Sequence, residues 1–315
     1  MSAPPPPLAI VGPTATGKTV LGVELARRIG AELVNADSRQ VIRRLRVGTA
    51  APTPAELRGV RCHLLDLCEP GEPFSVADWL GHARAALSDL GGRGVPAILV
   101  GGTGQYLRAL REGWDFDGLA PDETEREGLT ATASSAEGLE ALAAELTARD
   151  PGGAAGLDLA NPRRVVRALE LLRSGATSLA QARRSQGGVP VRVVVLDAQR
   201  ALHGEGLAAR VDGMFASGGL VAEVEDELRR GTTPAALQRA GIGYTEALEL
   251  IGGRRDVASA RARALQRTQR YVKAQRTWFR HEPATRSIER GPHTSTDDLA
   301  EVLLSAVRCS AAAPG

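Results

Sequence analysis

Eight consecutive residues, Gly12-Pro13-Thr14-Ala15-Thr16-Gly17-Lys18-Thr19, constrain this chain more than any other feature, because they satisfy G-x-x-x-x-G-K-[ST] at every fixed position. The apolar run Leu8–Val11 precedes them, and Leu21, Leu25 and Ile29 follow at helical spacing, so the motif lies between a predicted strand and a predicted helix. In that setting the glycines let backbone N–H groups converge on phosphate oxygens at a helix N-terminus. Lys18 is placed for the outer phosphates and the Thr19 hydroxyl for a Mg²⁺ ion. The loop fixes a phosphate site without fixing a reaction, since most such loops bind a nucleotide such as ATP for γ-phosphoryl chemistry.

Further apolar runs at Ala31–Ala36, Val95–Val100 and Val191–Asp197 read as strands alternating with helices. The predicted fold is therefore α/β, a P-loop-type parallel sheet flanked by helices, with its chemistry at the carboxyl ends of the strands. Between about Asp117 and Gln186 the pattern turns wholly helical. Leu139, Leu142 and Leu146 share one face, and Asn161-Pro162 starts a helix carrying Val165, Leu169 and Leu172. The predicted organisation is a discontinuous core domain, 1–119 with 190–315, interrupted by an all-helical insertion at 120–189.

The 43% hydrophobic content suffices for a core in 315 residues, but with 3% aromatics that core is built from Ala, Leu and Val. No run approaches the roughly 20 apolar residues of a membrane helix, and the proline-rich Met1–Pro7 reads as an extended tail rather than a leader. Cys62, Cys68 and Cys309 match no metal or redox spacing, and neither do the five histidines. Cys62 and Cys68 read as ordinary thiols in or near the core, the histidines as structural or exposed. A cytoplasmic, non-membrane monomer is expected. Only two of the 39 basic residues are lysines, Lys18 and Lys273, so each marks a place where a compact ammonium serves better than arginine's planar fork.

Asp37 falls at the end of the second strand, beside the phosphate loop. A carboxylate there can hold Mg²⁺, accept a proton from a nucleophile, or simply cap a turn. The run Asp37-Ser38-Arg39-Gln40 is joined by Gly48-Thr49-Ala50, Phe74-Ser75-Val76-Ala77-Asp78 and Val100-Gly101-Gly102-Thr103-Gly104-Gln105-Tyr106. Beyond these come Asn161-Pro162-Arg163-Arg164, Arg167-Ala168-Leu169-Glu170, Gly241–Tyr244 and Thr277-Trp278-Phe279-Arg280. In order and approximate spacing this series, from Leu8 to about Arg280, resembles the tRNA dimethylallyltransferase (IPP transferase) family.

The resemblance implies transfer of a dimethylallyl group from dimethylallyl diphosphate to N6 of the adenosine 3′-adjacent to the anticodon, in tRNAs reading codons that start with U. It implies that Gly12–Thr19 holds the donor diphosphate with Mg²⁺ on Thr19, that Asp37 takes the N6 proton, and that Lys18 and Thr19 receive the leaving charge. Thr103 falls at the family's position near base and leaving group. The anticodon stem-loop would meet Asp37, Ser38, Arg39, Gln40 and Thr103; then Arg126, Arg163, Arg164, Arg167, Arg239, Gly243 and Tyr244; and finally Lys273, Gln275, Trp278 and Arg280. Three departures remove positive charge: Ala51 and Gly206 stand where the family usually has a lysine and an arginine, and Ala274 where it has an arginine. Arg39, Arg43, Arg210 and Arg276 are the neighbours placed to compensate.

Read without the family, the segment Arg254–Arg280 carries nine basic residues against one acid, Asp256, which favours RNA over a solvated face. Its aromatics, with Tyr271 and Trp278 at seven-residue spacing beside Phe279, read as packing. The helix of Arg163, Arg164 and Arg167 leaves both readings open. The competing functions are an adenylate prenyltransferase, a P-loop small-molecule kinase and an inactive RNA-binding module. A mononucleotide would leave the insertion and the basic tail without a ligand, no adenine lid or phosphoryl acceptor site is evident, and a mere binder has no need of Lys18, Thr19 and Asp37 together.

Overall fold

The computed structural model describes residues 5–116, 122–182, 187–284 and 286–311, with side chains through 305 except that of Ser217. The predicted boundary at 119/120, most of the Met1–Pro7 tail and the Cys309 side chain lie outside these residues. Six strands, β1 (Leu8–Val11), β2 (Glu32–Asn35), β3 (Cys62–His63), β4 (Ala97–Gly101), β5 (Arg192–Ala198) and β6 (Arg286–Arg290), form one sheet in the order β3-β2-β4-β1-β5-β6. Every pairing is parallel, with Ala9 opposite Leu99 on one side and Val193 on the other. This is the P-loop-like α/β fold expected. Parallel strands are buried on both faces, which is why the central four are continuous apolar runs and legible as such.

The sequence missed two strands, β3 and β6. β3 is two residues long, and in β6 only Ile288 packs against the core. Both sit at sheet edges, where half the burial is absent and the apolar signal fades. The first core cluster joins Leu8, Ile10, Leu21, Leu33, Ile98 and Leu196 to Leu299 and Leu303 of the terminal helix Thr296–Ala311. A second cluster, with Leu45, Val211, Phe215, Leu220, Leu237 and Tyr244, is built by the segment after β2 that carries Leu45 and by five helices: Arg200–Phe215, Gly219–Arg229, Pro234–Ala240, Tyr244–Ile251 and Val257–Arg280.

The chain divides into two compact units, Met1–Arg111 with Val189–Gly315, and Glu112–Gly188. Among its described residues the named elements of the smaller unit are all helices, with Leu129, Leu142, Leu146, Val165, Leu169 and Leu172 in its core. The Asn161 side chain caps the helix Pro162–Arg173 by accepting from the Arg164 N–H at 3.4 Å. No helix among the described residues is long and apolar enough to cross a membrane.

Candidate active site

Four strand ends of the larger unit converge on one edge of the sheet. The phosphate loop follows β1, Asp37 follows β2, Gly102-Thr103 follows β4, and Arg290 closes β6. Gly17 caps the helix Lys18–Ile29 with φ of 90°, a conformation that side chains resist, and so turns the loop back over the helix N-terminus. Lys18 is only 8% exposed, and its Nζ donates to the Pro13 carbonyl. Burial lowers its pKa to about 8, the Asp37 charge opposing that shift and the Arg210 charge adding to it. Thr19 stands in the first turn of the same helix.

The Thr14 peptide is held at both ends. Its N–H donates to Gln275 Oε1 at 3.0 Å, and Gln275 Nε2 donates to the Gly102 carbonyl at 3.0 Å. The Thr14 carbonyl meets His203 Nε2 at 2.7 Å, while His203 Nδ1 lies 2.7 Å from the Arg276 guanidinium. Arginine can only donate, so Nδ1 accepts and Nε2 carries the proton that binds Thr14. Arg276 in turn donates to Asp197 at 2.8 and 2.9 Å. Desolvation lowers the His203 pKa, with Arg276 and Lys18 adding to the shift. Residue type and spacing had given His203 no assignment beyond a structural or exposed one, because its partners come from a loop 189 residues away.

Asp37 accepts from the Arg39 N–H through Oδ1 at 2.9 Å, so one oxygen does cap a turn and the other is left for a ligand. Thr103 Oγ1 accepts from the Ser38 N–H at 2.9 Å and donates to Ser38 Oγ at 3.3 Å, fixing the Asp37-Ser38 turn to the end of β4. Two cavities adjoin. One of about 160 Å³ is lined by Thr14, Asp37, Arg39, Thr49, Arg210 and Tyr271, with Met214 and Ile242 as its apolar wall. The other, about 610 Å³, is lined by Ala15, Thr16, Gly17, Gly206, Arg210 and Arg290. Arg210 lines both and donates to the Thr49 carbonyl at 3.3 Å.

Several residues assigned to tRNA from the sequence have internal partners. Tyr244 is fully buried, its hydroxyl donating to Glu223 Oε1 at 2.9 Å, and its ring lies where any side chain at Gly48 would stand. The two glycine-containing motifs at 48–50 and 241–244 are therefore each other's packing surface, and buried Gly243 caps the following helix. Gly243 and Tyr244, assigned to tRNA from the sequence, thus have internal packing roles. Gln275, 5% exposed, is likewise spent on the loop. Gln40 donates to the Ala50 carbonyl at 2.9 Å. Trp278 lies against Gly104 with the Arg108 guanidinium 4.6 Å from its ring centre. In the smaller unit, Arg126 at 2.6 and 3.2 Å and Arg167 at 3.1 Å neutralise Glu170, which is 3% exposed; Arg163 and Arg164 remain exposed.

The basic helix Val257–Arg280 also departs from its sequence reading. Arg255, Arg261, Arg263, Arg267 and Arg276 pair with Glu249, Asp212, Glu246 and Asp197 from other elements. Among the described residues Arg254, Arg270, Lys273 and Arg280 enter no ion pair and are exposed. Of the aromatics only Phe279 is buried, whereas Tyr271 is exposed on the cavity wall. Of the four arginines placed to compensate, Arg276 is held by Asp197 and Arg43 lies 3.7 Å from Glu69, leaving Arg210 and Arg39 at the cavity. Burial raises the Cys62 and Cys68 thiols to about 12 and about 11, so neither is a reactive thiolate.

Comparison with known proteins fits this geometry. The family model described as IPP transferase matches residues 40–282, and that of isopentenyl transferase matches residues 8–69. The chain is 41% identical to the tRNA dimethylallyltransferase of Roseiflexus castenholzii over 88% of its length and 90% of the relative's. It is 40% identical to that of Exiguobacterium sp., covering 88% of both chains. The full-length tRNA isopentenylpyrophosphate transferase of Bacillus halodurans superposes with a TM-score of 0.69 at 33% identity, covering 96% of this chain and 95% of that one. A eukaryotic dimethylallyltransferase solved acting on tRNA shares the fold, with a TM-score of 0.79 at 22% identity over 96% and 78% of the two chains.

Proposed function

The chain belongs to the IPP transferase family, and on that premise we propose that it moves the dimethylallyl group of dimethylallyl diphosphate to N6 of the adenosine 3′-adjacent to the anticodon, in tRNAs reading codons that begin with U. The observation that carries this reading is that Arg210 lines two cavities, one faced by the phosphate loop and the other by Asp37. In this reading the diphosphate lies in the larger cavity against Ala15–Gly17, and N6 meets the prenyl C1 at the smaller, beside Asp37, with Met214 and Ile242 as the apolar wall.

Asp37 Oδ2 accepts the N6 proton while Oδ1 stays on the Arg39 N–H. The N6 lone pair forms the bond to C1, the C1–O bond breaks, and its electron pair leaves on diphosphate. Lys18, the loop amides and Arg210 take up that charge. A dry apolar wall keeps water from capturing the allylic cation.

The donors for Mg²⁺ are sparse: Thr19 supplies a hydroxyl, and no group of three His, Cys, Asp or Glu side chains among the described residues is arranged to hold a metal. Such a site fits Mg²⁺ that takes most of its ligands from phosphate oxygens and water. When bound there, the ion would supply charge neutralisation to the departing diphosphate.

Arg270, Lys273 and Arg280, with Arg39 and Arg239 at the cavity rim, form the tRNA surface of the larger unit; Arg163 and Arg164 serve in the smaller. Transfer of label from dimethylallyl diphosphate tests the whole reading. Label is expected in unmodified tRNA and not in AMP, falling about 10²- to 10⁴-fold in Asp37→Ala with tRNA still bound. Label in AMP alone would make the chain an adenylate prenyltransferase instead.

A further inference from the structure

Arg290 has no role in any reading above. It ends β6, opposite Ala198 of β5, and its Nε donates to the Thr294 carbonyl at 3.3 Å, which aims the rest of the guanidinium at the phosphate loop. Its Nη1 lies 2.6 Å from the point a Cβ on Gly17 would occupy, so the guanidinium rests on the loop's last glycine. Among the described residues no carboxylate lies within ion-pair distance of it, whereas Arg276, which donates to the Ala198 carbonyl beside it, is tied to Asp197. The cavity it enters is also lined by Arg210 and the loop residues Ala15–Gly17, with Glu205 as its one acidic lining residue. Two guanidiniums and a row of loop peptides facing one space, with so little negative charge, describe an anion site.

We propose that Arg290 is a leaving-group residue: it holds the terminal phosphate of the donor diphosphate from the β6 side of the loop. The proposal rests on the reading of the loop as the diphosphate site. Gly206 lines the same cavity without bringing it charge, and a Cβ there would stand 3.3 Å from the Ala15 carbonyl. Arg290 thus brings, from β6, positive charge to the loop flank that Gly206, on the helix Arg200–Phe215, leaves bare. A second phosphate-binding fork also explains how a loop with a single buried lysine keeps a trianionic ester in place while a further negative charge develops on the departing diphosphate.

Binding of inorganic diphosphate with Mg²⁺ to the full chain, measured by calorimetry, tests this in four proteins: wild type, Arg290→Ala, Arg290→Gln and Lys18→Ala. Loss of a charged hydrogen-bonding partner should weaken diphosphate binding about 10- to 100-fold in both Arg290 variants. The KM for dimethylallyl diphosphate should rise, while the KM for tRNA stays within about twofold of wild type, as no RNA phosphate is involved. Gln keeps a donor for the Thr294 carbonyl without the charge, so wild-type affinity in Arg290→Gln would make the residue a turn anchor and overturn the proposal. Wild-type affinity in both Arg290 variants, with binding lost in Lys18→Ala, would overturn it while leaving the loop reading intact. If Lys18→Ala also binds diphosphate normally, the anion lies elsewhere and both fall. A raised tRNA KM with unchanged diphosphate affinity would assign Arg290 to the RNA instead.

Discussion

At the scale of single residues, what decides the site is how one peptide, that of Thr14, is gripped. Gln275 takes its N–H and His203 its carbonyl, each supported by a further bond to β4 or to Arg276. A phosphate loop has no regular structure of its own to hold its shape, so such grips substitute for a ladder of backbone bonds. The grip is pH-sensitive. His203 has a folded pKa below its ordinary 6.5, so the unfolded chain takes up a proton first as pH falls. The stability it contributes is complete above about pH 6.5 and is lost below it. Protonated His203 can no longer accept from Arg276 and is repelled by it. Diphosphate affinity of the wild type should therefore fall more steeply between about pH 6.5 and 5 than that of His203→Gln, whose amide can make both bonds without titrating. Parallel pH curves for the two proteins would show that the grip does not depend on the neutral imidazole.

At the scale of elements, the helix Val257–Arg280 separates two roles by face. Ala260, Ala264, Thr268, Val272, Gln275 and Phe279 form its buried stripe. Arg270, Lys273 and Arg280 fall on the opposite face at helical spacing. Replacing any of these three with Gln should weaken tRNA binding without regard to sequence and lower the salt slope by about one each, read by filter binding across a salt series. Arg267 sits between the faces and donates at 2.8 and 3.0 Å to Glu246, which has no exposed surface. Arg267→Gln leaves that buried carboxylate short of a partner, so a loss of about 1–3 kcal/mol in urea unfolding is expected. A sum of charges along the sequence cannot tell these arginines apart, because the acids that silence five of the nine arrive from other helices and from β5.

At the scale of the whole molecule, the parallel sheet gathers onto one edge groups that are far apart in the chain: the loop after β1, Asp37, Thr103 and Arg290. None of these is a strong metal site, and among the described residues no cluster of three ligands exists. Mg²⁺ alone should therefore give no saturable binding in calorimetry, whereas Mg²⁺ with diphosphate should, and a chelator should abolish prenyl transfer. Saturable binding of Mg²⁺ without diphosphate would mean that the protein itself supplies a ligand set that these residues do not provide.

The sequence by itself determined the phosphate loop, the four central strands, the helical character of the intervening unit and the family, because each is written in local spacing: a glycine pattern, an apolar run, a helical repeat, a series of short motifs. Asp37 was legible for the same reason, standing at the end of a readable strand. Tertiary structure alone decided which polar residues are spent internally. Tyr244 packs on Gly48, Gln275 and His203 hold Thr14, and Arg126 and Arg167 neutralise Glu170. It also decided that Arg290, on an edge strand too weakly apolar to be read, points into the loop. The physical reason is common to all of them: hydrogen bonds and ion pairs are satisfied by whatever lies within about 3 Å in space, and that neighbour is set by the fold's crossovers rather than by position along the chain.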